Sequence, residues 1–301
     1  MNRESKSGVS ILILSYNHVE FIERSVRSVF EQRESIKNIE LILLDDGSTD
    51  GTQELLKKLQ QTAPIPMELI LKDHEGVHSI SKNLNTLITL ANKKYIAFLA
   101  SDDFYLPNRF QKQIAIMEAN NSIQLVYGNG TNLLNGKPIS DTHPTMVMEL
   151  LKSRNPMKIY EYTTSGTSQL YIQAVLIRSE FVKDFKPFNE DLLADDWVFN
   201  IQCFKRLIDL NLSFSSINDK LFVRNVLLSS TSNNVSVHFK RVAQTAEIYI
   251  NSSNKLFYKK FYWNYSKLFL RRGYFKSSVI LLGRLCFLGF SFHNRKLSSF
   301  L

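Results

Sequence analysis

The sequence predicts an α/β protein: a mostly parallel, doubly wound sheet with helices on both faces, followed by a helical, basic C-terminal region. Three observations predict it. Five short apolar runs recur between Ser10 and Tyr127, and the segments between them carry helical spacing. Strand and helix alternating at that rhythm need crossovers, and crossovers give parallel sheets covered on both sides. The basic excess is confined to the end of the chain: residues 238–301 hold twelve Lys and Arg against the single acid Glu247, while the remaining residues are close to neutral.

The elements follow in order. Residues 10–14 (Ser-Ile-Leu-Ile-Leu) read as the first buried strand. Phe21, Ile22, Ser25, Val26, Val29 and Phe30 then line one face of a helix. Residues 39–44 make a second strand. Ser48-Thr49-Asp50 can cap a helix starting at Gly51, whose buried face would be Leu55, Leu56 and Leu59. Residues 67–71 and 95–99 are further buried strands, and Pro107 suits the first turn of the helix that leads to a strand at 123–127. Residues 130–171, rich in Thr, Ser and Asn, read as loops. The expected division is an α/β domain over 1–237, with halves 1–128 and 129–237, and a separate region over 238–301.

With 301 residues the chain can bury a sizeable core. Its two cysteines, Cys203 and Cys286, fit neither a disulfide framework nor a Cys-based zinc site, and suit a reducing compartment. The polar start predicts no signal peptide, and no uncharged apolar run reaches the length of a membrane span.

Three polar clusters fall at strand ends: Ser15-Tyr16-Asn17, Asp45-Asp46-Gly47-Ser48 and Asp102-Asp103. In parallel α/β sheets ligands bind at the carboxyl ends of strands, so the clusters converge on one site. Adjacent carboxylates repel, and a hard divalent cation such as Mg²⁺ or Mn²⁺ offsets that repulsion while bridging to phosphates. An Asp in the second cluster can accept from a nucleobase imide or a ribose hydroxyl. A helix cap with a turn glycine would use Ser48 or Asp50 but leave Asp45 and Asp46 without a role. Neither a Gly-x-Gly-x-x-Gly fingerprint nor a Walker loop is present.

Residues 9–17 (Val-Ser-Ile-Leu-Ile-Leu-Ser-Tyr-Asn), 45–52 (Asp-Asp-Gly-Ser-Thr-Asp-Gly-Thr) and 98–103 (Phe-Leu-Ala-Ser-Asp-Asp) resemble the family 2 glycosyltransferases of GT-A fold in order and spacing. Gln32, four residues after Ser28, resembles the family's S-x-x-x-Q stretch. The strong likeness runs from Val9 to about Leu125, and a weaker one continues to about Arg224. It implies an inverting transferase of bacterial polysaccharide or glycolipid type. Its donor would be a nucleotide-sugar, with a UDP-sugar expected, its cofactor Mn²⁺ or Mg²⁺, and its acceptor a saccharide or lipid-linked saccharide. By the same resemblance Asp46 contacts the donor's base against a wall of Ser15 and Tyr16. Asp103 is the metal ligand, and Asp102 lies nearer the ribose and sugar. Lys82 sits where a family Arg can steady the diphosphate. Phe188-Asn-Glu followed by Asp195-Asp196-Trp197 resembles the family's F-D-E and E-D-W stretches, which makes Asp196 the general base with Asp195 beside it. Arg224 is placed to meet phosphate, since its planar fork suits oxyanions.

The sequence departs from the family pattern in three places. Ala100 replaces an acid two residues before Asp102, Asp195 replaces a Glu, and no His follows Arg224 within the usual spacing. His18, His74, His78 and His143 read as structural or surface residues. Two other functions suit parts of the pattern: a sugar nucleotidyltransferase of related fold, which would want a glycine-rich basic loop after the first strand, and a non-catalytic membrane-associated binding module.

In the C-terminal region cations alternate with aromatics, as in residues 255–265 and 267–276. Such helices suit an anionic membrane surface, which predicts a cytoplasmic protein held peripherally at the inner face of the plasma membrane. The competing expectation is a packing subdomain that uses its aromatics against the body. No nucleic-acid-binding motif accompanies the charge.

Overall fold

The computed structural model describes residues 7–76, 79–166, 169–193, 196–227, 235–250, 254–271 and 275–286. Its strands are β1 (Val9–Ser15), β2 (Ile39–Asp45), β3 (Met67–Leu71), β4 (Tyr95–Ala100), β5 (Phe104–Tyr105), β6 (Ile123–Leu134), β7 (Lys137–Asp141), β8 (Val175–Arg178) and β9 (Ser213–Asn225). They form one sheet in the order β3-β2-β1-β4-β8-β6-β9-β5, with β7 against β6. β1 runs parallel to β2 and β4, β2 to β3, and β6 to β9, so the described sheet is mostly parallel. β8, β5 and β7 run against their neighbours.

Every residue of β2 is buried. Successive strand side chains point to opposite faces, so both faces of the sheet are covered. The helices Ile22–Glu31 and Thr52–Gln61 bury the predicted faces, among them Ile22, Val26 and Val29, and Leu56 and Leu59. β3 differs from the fully buried strand expected. It stands at the sheet edge with β2 as its one neighbour, and its residues are half-buried or exposed.

Three other local expectations are corrected. The helix begins at Gln111, not at Pro107. Residues 107–110 instead make a turn, because Gln32 accepts from Arg109 N at 3.1 Å and donates to Leu106 O at 3.1 Å. Ser28 Oγ accepts from Tyr105 N at 3.0 Å, so the Ser28–Gln32 stretch clasps the segment that follows Asp103. Ser48 does not cap the second helix. Gly51, at φ 99°, is its N-cap, and Asp50 takes the amide of Thr52 at 3.0 Å. Residues 130–171 are not mainly loop. β6 continues to Leu134, turns at Asn135-Gly136 (φ 50° and 75°) into β7, and two helices follow, Thr145–Lys152 and Pro156–Thr164. Asn-Gly is a strong hairpin signal, and Asn155 caps the second helix by accepting from Met157 N and Lys158 N.

The C-terminal region contributes the helices Val235–Tyr249, Lys255–Arg271 and Phe275–Cys286. They build an aromatic core of Phe239, Phe257, Phe261, Tyr265 and Phe269 that also takes in Trp197 and Ile201 from the helix Asp196–Asp209. Phe239 meets Phe261, Tyr265 and Phe269 at centroid separations of 5.3, 5.1 and 5.4 Å. Each such pair adds about 0.5–1.5 kcal/mol beyond its buried area. Polar tethers reinforce the seam, with Gln202 Nε2 donating to the Tyr249 hydroxyl at 3.3 Å. The aromatics therefore pack on the body. Among the described residues no helix is long and apolar enough to cross a membrane.

Candidate active site

The site begins at the end of β2. Asp45 closes the turn by accepting from Ser48 N at 2.8 Å, Ser48 Oγ at 2.6 Å and Gln53 Nε2 at 2.9 Å. The turn pivots on Gly47 at φ +77°, where an added Cβ would lie 2.5 Å from His74 N, so only glycine fits. This leaves Asp46 aimed inward at 4% exposure. Its carboxylate accepts from Asn83 Nδ2 at 2.9 Å and from Ser79 Oγ at 3.2 Å, and meets His74 Nδ1 at 2.8 Å. Its amide donates to Ser15 O at 2.9 Å, which ties it to the end of β1. Ser15 Oγ is buried without a hydrogen-bond partner among the described residues. Tyr16, 42% exposed, stacks on His74 with centroids 4.0 Å apart and rings 8° from parallel. Ser15, Tyr16 and Asp46 thus come together as expected, and the structure adds His74, Ser79 and Asn83 to them. His74 had read as structural or surface; the turn glycine Gly76, at φ +82°, was the local hint of a loop folding back.

The second centre lies at the end of β4. Asp103 is 2% exposed, and its amide closes a turn on Ala100 O at 3.0 Å. Its carboxylate accepts from Asn225 N at 2.9 Å and from Gln173 Nε2 at 3.1 Å. Asn225 Nδ2 donates to the carbonyl of Asp102, so the end of β9 holds both residues. Burial, and then the neighbouring Asp102 carboxylate, push the Asp103 carboxyl well above its ordinary pKa; the Asn225 amide, Arg224 and Gln173 offset this only in part. His18 joins the first loop to this turn through Ser101 Oγ at 2.6 Å.

A divalent cation fits this donor set. Each Asp103 oxygen has one protein donor and so keeps a lone pair, and Gln173 Oε1 is buried without a partner among the described residues. Mg²⁺ or Mn²⁺ needs only one or two carboxylates when substrate phosphates complete its shell. No group of three or more His, Cys, Asp or Glu able to hold a metal exists among the described residues, so a protein-only cage is not what this site offers.

The third centre faces the second across Tyr171. Asp196 is the first residue of its helix and is half-buried, with Oδ2 3.4 Å from Ile172 N. Asn200 fixes that first turn by donating to Asp196 O at 2.5 Å and Leu170 O at 2.9 Å. Burial raises the Tyr171 hydroxyl pKa, Arg224 lowers it, and Asp196 and Asp103 both raise it. The ring therefore stands within electrostatic reach of all three. Arg224 lies over the Tyr171 ring at 5.0 Å and reaches Asn132 Oδ1 at 3.5 Å. Behind the ring, His143 is buried; its Nδ1 meets Gly128 O at 2.9 Å and its Nε2 accepts from Tyr171 N at 3.1 Å. Burial pulls the His143 pKa down to about 4, so the imidazole is neutral.

Lys82 precedes Asn83, a partner of Asp46, on its helix. It is exposed and paired with Glu75 at 2.9 Å, and that pairing raises its pKa. Asp195 and His78 lie outside the described residues. Gln173, Asn225 and Tyr171 were not singled out from the sequence; Asn225 at least follows a residue that was.

Residues 10–176 match the family described as Glycosyl transferase family 2, a span that includes Ser15, Asp46 and Asp103 but stops before Asp196. An Escherichia coli UDP-Glc:alpha-D-GlcNAc-diphosphoundecaprenol beta-1,3-glucosyltransferase, WfgD, is 34% identical over 121 residues, covering 40% of this chain and 45% of its own length. An uncharacterized glycosyltransferase of Haemophilus influenzae is 26% identical over 268 residues, covering 89% of this chain and 97% of its own. Elsewhere the match is partial: it spans 35%, 16% and 43% of the length of relatives from Nostoc, Rickettsia bellii and Bacillus subtilis. Among solved structures, a mannosyltransferase from Pyrobaculum calidifontis, in complex with GDP-Man and Mn²⁺, aligns with a TM-score of 0.61 at 15% identity, covering 95% of this chain and 81% of its own.

Proposed function

The chain belongs to glycosyl transferase family 2, and on that premise we propose that it is an inverting, metal-dependent transferase that moves a sugar from a UDP-sugar to a lipid-linked saccharide in surface polysaccharide synthesis. The observation that carries this reading is the convergence of Arg224, Asp196 and Asp103 on the short segment Tyr171–Gln173, through the Tyr171 ring, Ile172 N and Gln173 Nε2 respectively. Asp46, steadied by His74, Ser79 and Asn83, and the wall of Ser15 and Tyr16 take the base. Asp102 lies on the ribose side. Arg224 meets the diphosphate, and Asp103 with its neighbour holds Mn²⁺ or Mg²⁺. A bound cation supplies charge for the departing nucleoside diphosphate. Lys82, matched by Glu75, has the weakest claim to a phosphate role.

Asp196 takes the proton of the acceptor hydroxyl. The acceptor oxygen forms its bond to the anomeric carbon, the carbon–oxygen bond to phosphate breaks, and the diphosphate leaves with the electron pair. Attack opposite the leaving group inverts the anomeric centre. The lipid-linked acceptor and UDP donor follow the name of the E. coli relative, and the metal follows the Mn²⁺ complex of the Pyrobaculum calidifontis mannosyltransferase. The basic C-terminal region suits a protein held at the cytoplasmic face of the plasma membrane.

The test is the pair Asp196→Asn and Asp195→Asn. The first keeps the shape and cannot take the proton, so transfer should fall about 10²-fold or more while UDP binding by calorimetry stays near wild type. If only Asp195→Asn loses transfer, the base belongs to the other member of the pair.

A further inference from the structure

We propose that the outward face of the helix Lys255–Arg271 is a docking surface for an anionic bilayer. This deepens, and rests on, the reading of a lipid-linked acceptor. The helix separates its residues cleanly. Phe257, Phe261, Tyr262, Tyr265, Ser266 and Phe269 are buried against the aromatic core. Lys259, Lys260, Trp263, Asn264, Lys267, Leu270 and Arg271 are exposed. At about 100° per residue these seven fall within one arc of about 140°. Four cations and two large apolar side chains therefore share one stripe, and the helix contains no acid.

The mixture identifies the partner. Trp263 is 45% exposed and Leu270 50%, in a helix whose other large aromatics are mostly buried. An indole suits the interface between headgroups and acyl chains, and lysine stems lie along apolar surface while their charges reach the headgroups. Lys267 Nζ already sits 4.3 Å from the Trp263 ring. A nucleic acid would engage the cations but give Leu270 nothing to bury in. The helix is about 25 Å long, enough to lie along a membrane surface.

The inner face gives docking a consequence. It packs on Trp197 and Ile201, which belong to the helix that starts at Asp196. The bilayer-facing stripe and the proposed base thus share one packed unit, so docking holds the site at a fixed height above the lipid headgroups.

The test uses the full chain with phosphatidylcholine vesicles, with and without phosphatidylglycerol. Wild type should co-sediment only with the phosphatidylglycerol vesicles and release as salt rises. The variant Lys259→Gln, Lys260→Gln, Lys267→Gln, Arg271→Gln should bind about 10²–10³-fold more weakly at low salt. Trp263 emission should be quenched by brominated lipid, and that quenching should vanish in Trp263→Phe, which keeps every cation and guards against a misfolded quadruple variant. Equal binding to both vesicle types, no binding, binding without Trp263 quenching, or preference for an RNA oligomer over vesicles would each overturn the proposal. UDP-sugar hydrolysis is read in parallel. Hydrolysis without vesicle binding breaks the docking face alone, whereas vesicle binding without hydrolysis supports the face and breaks the catalytic reading.

Discussion

Two carboxylates sit at strand ends on either side of β1, within the same half of the domain, and are held in opposite ways. Asp46, at the end of β2, is surrounded by donors from its own half: Asn83, Ser79 and His74. Asp103, at the end of β4, lies beside another carboxylate and draws its donors from the far half, Gln173 before β8 and Asn225 at the end of β9. The first is a carboxylate with its hydrogen bonds supplied from nearby. The second is a buried charge with incomplete compensation, its pKa raised by burial and by Asp102. The difference teaches what each can bind. A satisfied carboxylate offers a shaped acceptor to a base, while an under-compensated one calls for a cation.

The largest expected effect tests the under-compensated side. Asp103→Ala should lower sugar transfer by about 10³-fold, the scale of a metal's contribution to charge stabilisation, and a chelator should do the same to wild type. Activity indifferent to both would erase the contrast between the two carboxylates.

The next effect concerns the far half's own stability. His143 is neutral when folded, with a pKa near 4, and has an ordinary pKa of about 6.5 when unfolded. Between those values the unfolded chain binds the extra proton, so stability is full above about 6.5 and falls as pH drops toward 4. The loss should reach about 3 kcal/mol. Denaturant melts across that window should show it, and His143→Phe should flatten the slope while costing some stability at every pH. An unchanged slope in the variant would assign the acid sensitivity elsewhere.

The smallest effect sharpens the donor side. His74→Ala removes the stack on Tyr16 and one partner of Asp46, so UDP affinity should weaken by about 5-fold, the worth of roughly 1 kcal/mol. Calorimetry reads this directly. Tighter UDP binding in the variant would mean that His74 fills the base's place instead of supporting it.

Much of this was legible in the chain. The strands at Val9, Ile39, Tyr95 and Ile123 show in runs of Ile, Leu and Val, because burial on both faces demands apolar side chains at consecutive positions. The strand-end motifs put Ser15, Asp46 and Asp103 at one edge because parallel strands end together. The charge split marked the C-terminal region. What tertiary structure alone decided is which groups meet across long stretches of sequence. Gln173 and Asn225 reach Asp103 from 70 and 122 residues away, and His143 meets Tyr171 from 28. Periodicity reports only which face of its own element a residue occupies, so no local pattern announces such partners. The same limit applied to the C-terminal helix. Its sequence held cations and aromatics together, and only packing against Trp197 turned the aromatics inward and left Lys259, Trp263, Lys267 and Arg271 facing out.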